Sequence, residues 1–259
     1  MPEALIGTDR ISYDVGGPAD GSVVLFAHSI GTTRALWESQ ARELALRYRV
    51  VRYDARGHGG SSAPAGDYSL DQLGRDALAV LDALGIERAH VVGLSLGGLT
   101  AMWLGVHAPA RVGRLVLANT AARVGTAERW IERIAQVRAN GMAGIVEPTM
   151  TRWFSDSFRG QRPSAVAAYR AMLAGCSPVG YAGCCAALRD ADLRENIASI
   201  TAPTLIIAGD QDQATTLADA EVMRSRSPGA ALLTLPAAHL SNVEQPAAFT
   251  EALRQFLEG

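Results

Sequence analysis

Ser95 stands in a pattern that is typical of a nucleophilic serine, Gly93-Leu94-Ser95-Leu96-Gly97. The apolar run before it, AHVVGL, predicts a buried strand, and the run after it, LTAMWLGVHAP, predicts a helix. A sharp turn between such elements exposes the serine hydroxyl, and the two glycines let strand and helix approach closely. Free N–H groups at the start of the helix would stabilise an oxyanion. We therefore predict that Ser95 attacks an acyl carbonyl and that the Leu96 N–H is one oxyanion donor. The alternative is a Gly-Ser turn without a catalytic role.

A serine hydroxyl needs a base within hydrogen-bond reach, and the chain has five histidines. His239 follows the last predicted strand and precedes the last predicted helix, where hydrolases with this serine turn carry their base. His58 lies in a turn, His90 begins a predicted strand and His107 ends a predicted helix, so structural roles are favoured for these three. We predict that His239 is the general base.

The acid that orients the base should lie between Ser95 and His239, because hydrolases with this turn have the chain order serine, acid, histidine. The predicted strand Thr204 to Ala208 leads into a loop with two carboxylates, Asp210 and Asp212. The usual position, three residues after the glycine that ends the strand, is that of Asp212. A turn-supporting role is favoured for Asp210, which remains the alternative. Some hydrolases place the acid after the preceding strand, but Asn119 stands there.

A second oxyanion donor is expected from the loop after the third strand, which reads Ala27-His28-Ser29-Ile30-Gly31-Thr32-Thr33. Its position predicts that the donor is the backbone N–H of Ile30. Ser29 stands where many such hydrolases have glycine. Its hydroxyl either contributes to the oxyanion hole or packs the loop, and the sequence leaves both roles open.

Short β-branched runs alternate with longer amphipathic patterns, which is typical of a mostly parallel sheet covered by helices. Strands are predicted at Ile11 to Val15, Val23 to Ala27, Arg49 to Tyr53, His90 to Leu94, Leu115 to Ala118, Thr204 to Ala208 and Ala231 to Leu235. Helices that cover the sheet are predicted at Ala35 to Leu46, Leu70 to Leu84, Leu96 to Val106 and Ala247 to Leu257. Ligands bind at the carboxyl ends of the strands in such sheets.

Strand patterns vanish between about Thr120 and Ser199, where helical patterns follow one another. We predict a helical cap at residues 120–199, inserted into a core formed by residues 1–119 and 200–259. The cap helices are predicted at Ala127 to Ala139, Pro163 to Gly175 and Tyr181 to Asp190. Its aromatic residues either roof a pocket or form the interior of the cap, and the interior is favoured for most of them. They are Trp130, Trp153, Phe154, Phe158, Tyr169 and Tyr181.

Composition narrows the class of protein. A chain of 259 residues with 48% hydrophobic and 19% charged residues can bury one large core. The net charge of −2 leaves no basic surplus for nucleic acid, and no apolar run is long enough for a membrane span, so we expect a soluble, cytoplasmic protein.

Cys176, Cys184 and Cys185 indicate neither a disulfide framework nor a metal site and are expected to be reduced thiols packed in a helix. The oligomeric state, a homo-oligomer included, stays open.

The chain resembles the 3-oxoadipate enol-lactonases, α/β-hydrolases of protocatechuate and catechol degradation, over nearly its whole length. The discriminating segments are Ser29-Ile30-Gly31-Thr32-Thr33, Ala118-Asn119-Thr120-Ala121-Ala122-Arg123 and His239-Leu240-Ser241-Asn242-Val243-Glu244-Gln245-Pro246. The resemblance implies an α/β-hydrolase fold with a mostly parallel, eight-stranded sheet. His28 departs from the family, which is expected to have asparagine there, and the loop of Asp212 lacks the proline that often follows the acid.

The resemblance also implies the reaction. Ser95 would open the lactone ring of 3-oxoadipate enol-lactone and give 3-oxoadipate, without a metal or an organic cofactor. The substrate carries a free carboxylate, for which Arg133 and Arg152 of the cap are candidates, although cap arginines are more often solubilising surface residues. Trp130 and Trp153 would form walls of the pocket.

Three other functions fit the same residues. A general carboxylesterase or another lactonase would cleave carboxylate-free esters at least as well as the enol-lactone. A cofactor-free perhydrolase or haloperoxidase would show peroxide-dependent activity. A ligand receptor on a hydrolase scaffold would bind a small molecule and turn it over very slowly. A haloalkane dehalogenase is disfavoured, because its nucleophile would be an aspartate at the position of Ser95.

Overall fold

One eight-stranded sheet forms the centre of the described residues, 2–259, of the computed structural model. The strands lie in the order β1-β2-β4-β3-β5-β6-β7-β8. The two pairs at one edge, β1 with β2 and β2 with β4, are antiparallel, and every other pair is parallel. The strands are β1 (Glu3–Ile6), β2 (Asp9–Gly16), β3 (Val23–Ala27), β4 (Arg49–Tyr53), β5 (Ala89–Leu94), β6 (Val112–Ala118), β7 (Thr204–Gly209) and β8 (Ala231–Leu235). This sheet confirms the predicted fold class.

The central strands β3, β5 and β7 are almost completely buried because helices cover both faces of the sheet. Parallel strands of this kind read as continuous apolar runs, which is why they were found in the sequence. The four residues of β1 were not predicted as a strand. It is a short edge strand in which a single residue, Ala4, is buried, so its pattern carries little signal.

The described residues contain eleven α-helices, with short 3₁₀ turns at Arg34–Trp37, Pro109–Arg111 and Ile197–Ser199. The α-helices are α1 (Glu38–Leu44), α2 (Leu70–Ala83), α3 (Leu96–His107), α4 (Ala127–Asn140), α5 (Ala143–Trp153), α6 (Asp156–Gln161), α7 (Pro163–Ala174), α8 (Pro178–Asp190), α9 (Leu217–Arg226), α10 (Ser241–Glu244) and α11 (Pro246–Glu258). Helix α9 was not predicted, because its five apolar and five polar residues are mixed and form no continuous apolar stripe. Its start is nevertheless marked by a capping box between Thr216 and Asp219.

Five helices, α4 to α8, occupy the segment that the sequence predicts to be a cap, between β6 and β7. Three of them correspond to the predicted helices. Helices α5 and α6 were missed, since Pro148 interrupts the first pattern and the second is only six residues long. Among residues 2–259, no single helix is long and apolar enough to span a membrane. Helices α7 and α8 reach the required length and apolar character only as a pair, which is bent by 92°.

The three cysteines are free and buried. Cys184 and Cys185 lie in α8, but Cys176 lies in the turn between α7 and α8, so the prediction that all three pack in a helix is wrong for this residue. The turn is required because α7 and α8 meet at a large angle.

Helix α3, which begins directly after Ser95, is buried on all sides over most of its length. Helix α2 packs against it through Gly74, where a Cβ atom would lie 2.0 Å from Cε3 of Trp103. Only a glycine permits this distance between the two helices. The position of α3, and with it that of Ser95, therefore depends on the absence of a side chain at residue 74.

Replacing Gly74 by alanine should lower the free energy of unfolding by about 1–3 kcal/mol, because Trp103 must shift in a packed interior. Gly160→Ala in α6 is a matched control, since a Cβ atom there meets no atom within 4 Å. It should leave the stability unchanged or raise it by up to about 1 kcal/mol. Urea unfolding of both variants measures the difference, and equal stabilities would contradict the prediction.

Candidate active site

Ser95 occupies the turn between β5 and α3 with a strained backbone, φ 57° and ψ −115°. A Cβ atom at Gly93 would lie 2.1 Å from the carbonyl oxygen of Gly97, and one at Gly97 would lie 2.1 Å from that of Ala27. Both glycines are therefore required by the close approach of strand and helix, as the sequence pattern predicts. A conformation of this kind costs on the order of 1–3 kcal/mol and persists only where its surroundings hold it.

Two hydrogen bonds hold the backbone of Ser95. Its N–H donates to the carbonyl oxygen of Ala118 (3.0 Å), and its carbonyl oxygen accepts from Oγ1 of Thr120 (2.8 Å). Thr120 also packs against Gly98, where a Cβ atom would lie 2.6 Å from the threonine side chain. Thr120 was not predicted as a site residue, although it belongs to one of the discriminating segments of the sequence.

His239 and Asp212 are paired in the structure. Nδ1 of His239 donates to Oδ2 of Asp212 over 2.8 Å, and both side chains are buried. With the proton on Nδ1, Nε2 of His239 is able to accept one. Asp210, the alternative acid, is exposed to solvent and takes no part in this pair.

Asp212 accepts four further hydrogen bonds. Oδ1 accepts from the N–H groups of Ala214 (2.7 Å) and Thr215 (3.1 Å), and Oδ2 accepts from Oγ1 of Thr215 (2.7 Å) and Nδ2 of Asn119 (3.0 Å). Burial alone would raise the pKa of this carboxyl. The charge of His239 and the hydrogen bonds from His239, Asn119 and Thr215 outweigh it and lower the pKa of Asp212 to about 2. Asp212 is therefore a fixed anion beside the imidazole.

The loop that carries His239 is fixed by the residues that follow it in the sequence. Oγ of Ser241 donates to Oδ1 of Asn119, whose Nδ2 also donates to the carbonyl oxygen of Ala238 (3.2 Å). Glu244 accepts from the N–H of Ala238 (3.0 Å). These contacts explain why Asn119, Ser241 and Glu244 stand in the discriminating segments. In the sequence, these three residues stand out only through the resemblance, and no pattern there indicates what they contact.

Ser95 and His239 line one narrow cavity, of about 50 Å³, which residues of α4, α5 and α8 also line. Ile30 lines it as well. The four cap residues predicted to bind substrate all lie on this cavity: Trp130, Arg133, Arg152 and Trp153. The remaining lining residues are Val124, Arg129, Thr149, Tyr181 and Ala214.

Ser29 does not line this cavity. It is fully buried, and its Oγ has no hydrogen-bond partner among the described residues. Its carbonyl oxygen instead accepts from the N–H (3.2 Å) and Oγ1 (2.8 Å) of Thr32. The geometry favours the loop-packing role over a direct contact with substrate.

The six cap aromatics divide evenly. Phe154, Phe158 and Tyr169 pack on one another, with ring centroids 5.1 Å and 5.4 Å apart, and form the interior of the cap. Trp130, Trp153 and Tyr181 line the cavity. All six rings nevertheless belong to the hydrophobic core or pack against it, which confirms the expectation of interior residues, and three of them line the cavity as well.

The cavity carries three arginines: Arg129, which was not predicted, Arg133 and Arg152. In the described part of the chain none of them forms an ion pair with a carboxylate. Arg152 donates to Oγ1 of Thr149 (2.9 Å). Burial first, and then the charges of Arg133 and Arg129, lower the pKa of Arg152 to about 10. The site is therefore strongly positive and suited to an anionic ligand.

Residues 2–259 contain no group of three or more histidine, cysteine, aspartate or glutamate side chains arranged to hold a metal ion. The arrangement offers a serine in a strained turn that lines the cavity, a histidine paired with a buried carboxylate, and cationic side chains on the same cavity. This combination suits acyl transfer from a negatively charged substrate.

Comparison with known proteins agrees with this class. The family model of the alpha/beta hydrolase fold matches residues 22–246. The 3-oxoadipate enol-lactonase 2 of Acinetobacter baylyi is 42% identical over 248 residues, which are 96% of this chain and 93% of the relative. The crystal structure of the enol-lactonase from Burkholderia xenovorans LB400 superposes with a TM-score of 0.98 at 36% identity, covering 100% of both chains. A hydrolase from Pseudomonas aeruginosa is 45% identical, with a TM-score of 0.96 over 99% of this chain and 97% of its own.

The fold and the family match thus define an α/β-hydrolase. Within that class, the chain belongs to the family of the 3-oxoadipate enol-lactonases, which confirms the resemblance seen in the sequence.

The low pKa of Asp212 predicts a pH-dependent loss of stability. The folded value of about 2 lies below the ordinary value, so Asp212 stabilises the fold above the unfolded pKa, and this contribution is lost as the pH falls through the folded pKa. The difference in unfolding free energy between the wild type and Asp212→Asn should shrink by about 2 kcal/mol between about pH 6 and about pH 2. Urea unfolding at a series of pH values measures it. A difference that stays constant would show that Asp212 is not stabilised as an anion.

Proposed function

We propose that this protein is a serine hydrolase that opens the lactone ring of 3-oxoadipate enol-lactone to give 3-oxoadipate. One observation carries the proposal: Ser95 and His239 share a cavity with three arginines that have no carboxylate partner within the described residues. Ser95 and His239 are suited to acyl transfer, and the arginines are suited to bind the free carboxylate of this substrate. The substrate name comes from the relatives that this chain resembles over nearly its full length.

In this mechanism Oγ of Ser95 attacks the lactone carbonyl while Nε2 of His239 takes its proton. Asp212 holds the ring through Nδ1 and stabilises the imidazolium that forms. The negative charge that develops on the carbonyl oxygen is bound by the backbone N–H groups of Ile30 and Leu96. The helix that starts at Leu96 adds the positive end of its dipole.

Collapse of the tetrahedral intermediate breaks the ring C–O bond and leaves an acyl-enzyme on Ser95. The leaving group is an enol, which takes a proton from His239 and becomes a ketone, so reclosure of the ring is disfavoured. A water molecule that gives its proton to His239 then attacks the acyl carbonyl and releases 3-oxoadipate. The reaction needs no metal and no organic cofactor.

The cap recognises the substrate carboxylate. Arg133 and Arg152 are the proposed ligands, and Arg129 adds a third charge nearby. A buried carboxylate on these guanidinium groups would offset the burial of Arg152 and the repulsion from Arg133 and Arg129, which together lower its pKa. Trp130, fixed by its Nε1 donating to the carbonyl oxygen of Val124 (2.7 Å), and Trp153 form apolar walls for the ring.

We further propose that residues 120–199 act as a cap on a core of residues 1–119 and 200–259. Three hydrogen bonds join this segment to the loop of His239. The N–H of Leu240 donates to the carbonyl oxygen of Trp153 (3.0 Å), and the N–H (3.0 Å) and Oγ (2.5 Å) of Ser155 both donate to Glu244. The cap is thereby fixed to the loop that carries the base. Its position then determines the space left above Ser95.

Enzyme should remove the ultraviolet absorbance of 3-oxoadipate enol-lactone, and Ser95→Ala should reduce kcat by a factor on the order of 10⁴ or more, because no other group replaces the nucleophile. Ser199→Ala is the control, since Ser199 is exposed in a 3₁₀ turn, and it should keep wild-type activity. Folding of both variants is checked by circular dichroism.

The same assay with p-nitrophenyl acetate, and with peroxide in a carboxylic-acid buffer, separates the alternatives. Efficient ester cleavage without loss of the lactone would indicate a general carboxylesterase and contradict the proposed substrate. Peroxide-dependent activity alone would indicate a perhydrolase. Full lactonase activity of Ser95→Ala would rule out the mechanism.

Arg133→Gln and Arg152→Gln should each raise KM for the enol-lactone about tenfold or more, because a hydrogen bond between charged groups contributes roughly 1.5–3 kcal/mol. The variants should leave KM for α-angelica lactone unchanged, since it has the same kind of enol ester but no carboxylate. Arg138→Gln is the matched control on α4, where Arg138 pairs with Asp67 away from the cavity. An equal change in KM for both lactones would show that the arginines only support the fold.

A further inference from the structure

Two buried histidines with no assigned role, His28 and His58, lie next to each other behind the loop that carries Ile30. Their ring centroids are 5.3 Å apart in an edge-on arrangement, and their exposed fractions are 1% and 2%. Neither ring lines the cavity that contains Ser95. They therefore do not exchange protons with substrate, and their role must be sought in the backbone that they hold.

The two rings connect the loops after β3 and β4 in a reciprocal way. Nε2 of His28, in the first loop, accepts from the N–H of Ala55 in the second loop (2.8 Å). Nε2 of His58, in the second loop, accepts from the N–H of Gly31 in the first (2.8 Å). Each loop thus supplies one imidazole and one backbone N–H.

The remaining ring nitrogens fix the protonation state. Nδ1 of His28 donates to the carbonyl oxygen of Ser29 (2.8 Å), and Nδ1 of His58 donates to that of Arg56 (3.1 Å). An Nε2 atom that accepts a backbone N–H carries no proton, so both rings are neutral with the proton on Nδ1. Burial lowers the pKa of both histidines, that of His58 to about 3, and so favours the neutral form.

The hydrogen bond to Ser29 determines where the proposed oxyanion donor points. A trans peptide is planar, and its C=O and N–H bonds point in opposite directions. The carbonyl of Ser29 and the N–H of Ile30 belong to the same peptide unit. Because His28 and Thr32 hold this carbonyl, they also fix the direction of the Ile30 N–H.

His58 fixes the next peptide unit, which ends in the N–H of Gly31. Gly31 has φ +77°, and a Cβ atom there would lie 2.5 Å from Cδ1 of Leu173 in α7 and 3.2 Å from the ring of Tyr181 in α8. The loop is thus held by an imidazole on one side and by cap side chains on the other. Ile30 lies between two peptide units that are both anchored by a histidine.

We propose that His28 and His58 are positioning residues for the oxyanion hole: the pair holds the two peptide units around Ile30 so that its N–H points at the carbonyl oxygen of the substrate. The role rests on the proposed function of Ser95 and Ile30. It needs one particular ring nitrogen at each position, Nδ1 of His28 and Nε2 of His58. Misplacement of a catalytic group by about 1 Å can cost roughly 100-fold in rate.

Asparagine and glutamine distinguish the two ring nitrogens. The amide of asparagine reaches about as far as Nδ1 and can donate at that position, whereas the longer glutamine reaches about as far as Nε2 and can accept there. At position 28, His28→Asn should keep the bond to Ser29 and His28→Gln should lose it. At position 58, the order is reversed, since His58→Gln keeps the bond to Gly31 and His58→Asn loses it.

The experiment measures kcat and KM of the four variants with p-nitrophenyl acetate. We expect His28→Asn and His58→Gln to stay within about threefold of the wild type, and His28→Gln and His58→Asn to lose about 10- to 100-fold in kcat with little change in KM. Affinity for an aryl trifluoromethyl ketone, which binds Ser95 as an oxyanion, should fall by the same factor as kcat. Affinity for adipate, which needs no oxyanion hole, should not change.

His90→Gln is the matched control, because His90 is a partly buried histidine at the start of β5, at the opposite end of the strand from Ser95. Equal kcat values for Asn and Gln at each position, or the reverse order, would overturn the inference. So would an equal loss of ketone and adipate affinity, which indicates general damage to the site. Failure of the proposed function is seen separately, as p-nitrophenyl acetate cleavage that persists in Ser95→Ala or as an enol-lactone that the wild type does not open.

Discussion

The strained turn at Ser95 is the constraint on which the rest of the site depends. Its backbone lies outside the ordinary regions for a side chain, so it exists only because its surroundings leave no alternative. Gly93 and Gly97 permit contact between β5, α3 and the end of β3, and Ala118 and Thr120 hold the backbone from β6. Three neighbouring parallel strands and one buried helix thus fix one hydroxyl group. A sheet of this kind suits such a task because the carboxyl ends of its parallel strands meet at one edge.

A buried carboxylate imposes the second constraint. Asp212 is stable as an anion because donors from three loops converge on it: Asn119 after β6, Thr215 after β7 and His239 after β8. Each donor also belongs to a larger network, since Asn119 is held by Ser241 and the His239 loop is held by Glu244. The imidazole of His239 is therefore oriented by a network rather than by a single partner. A network of this kind is satisfied only when all of its loops are in place.

Charge distinguishes the cap from the core. The core neutralises its buried arginine Arg56 with Asp76, at 2.7 Å, and with Asp9. Residues 120–199 instead place Arg129, Arg133 and Arg152 on one cavity. None of the three forms an ion pair with a carboxylate of residues 2–259. The fold bears this repulsion in the absence of a ligand, and a bound anion relieves it. In the proposed function, the arginines of residues 120–199 therefore bind the substrate carboxylate, while the residues proposed for the acyl chemistry lie at the ends of the strands.

The fold class and the Ser95 turn follow from the sequence, and so does the pairing of Asp212 with His239, because each depends on residue spacing within one strand and the loop that follows it. The sequence also marked Asn119, Ser241 and Glu244, but only by resemblance. Only the packing of the folded chain shows which side chains of residues 120–199 face the cavity. Arg129 and Tyr181 face it, since such directions depend on how α4 and α8 pack on their neighbours, whereas Ser29, in the loop after β3, does not line it. The edge strand β1 and helix α9 were not predicted, because β1 has only one buried residue and the apolar residues of α9 form no continuous stripe, so neither carries a clear periodic pattern.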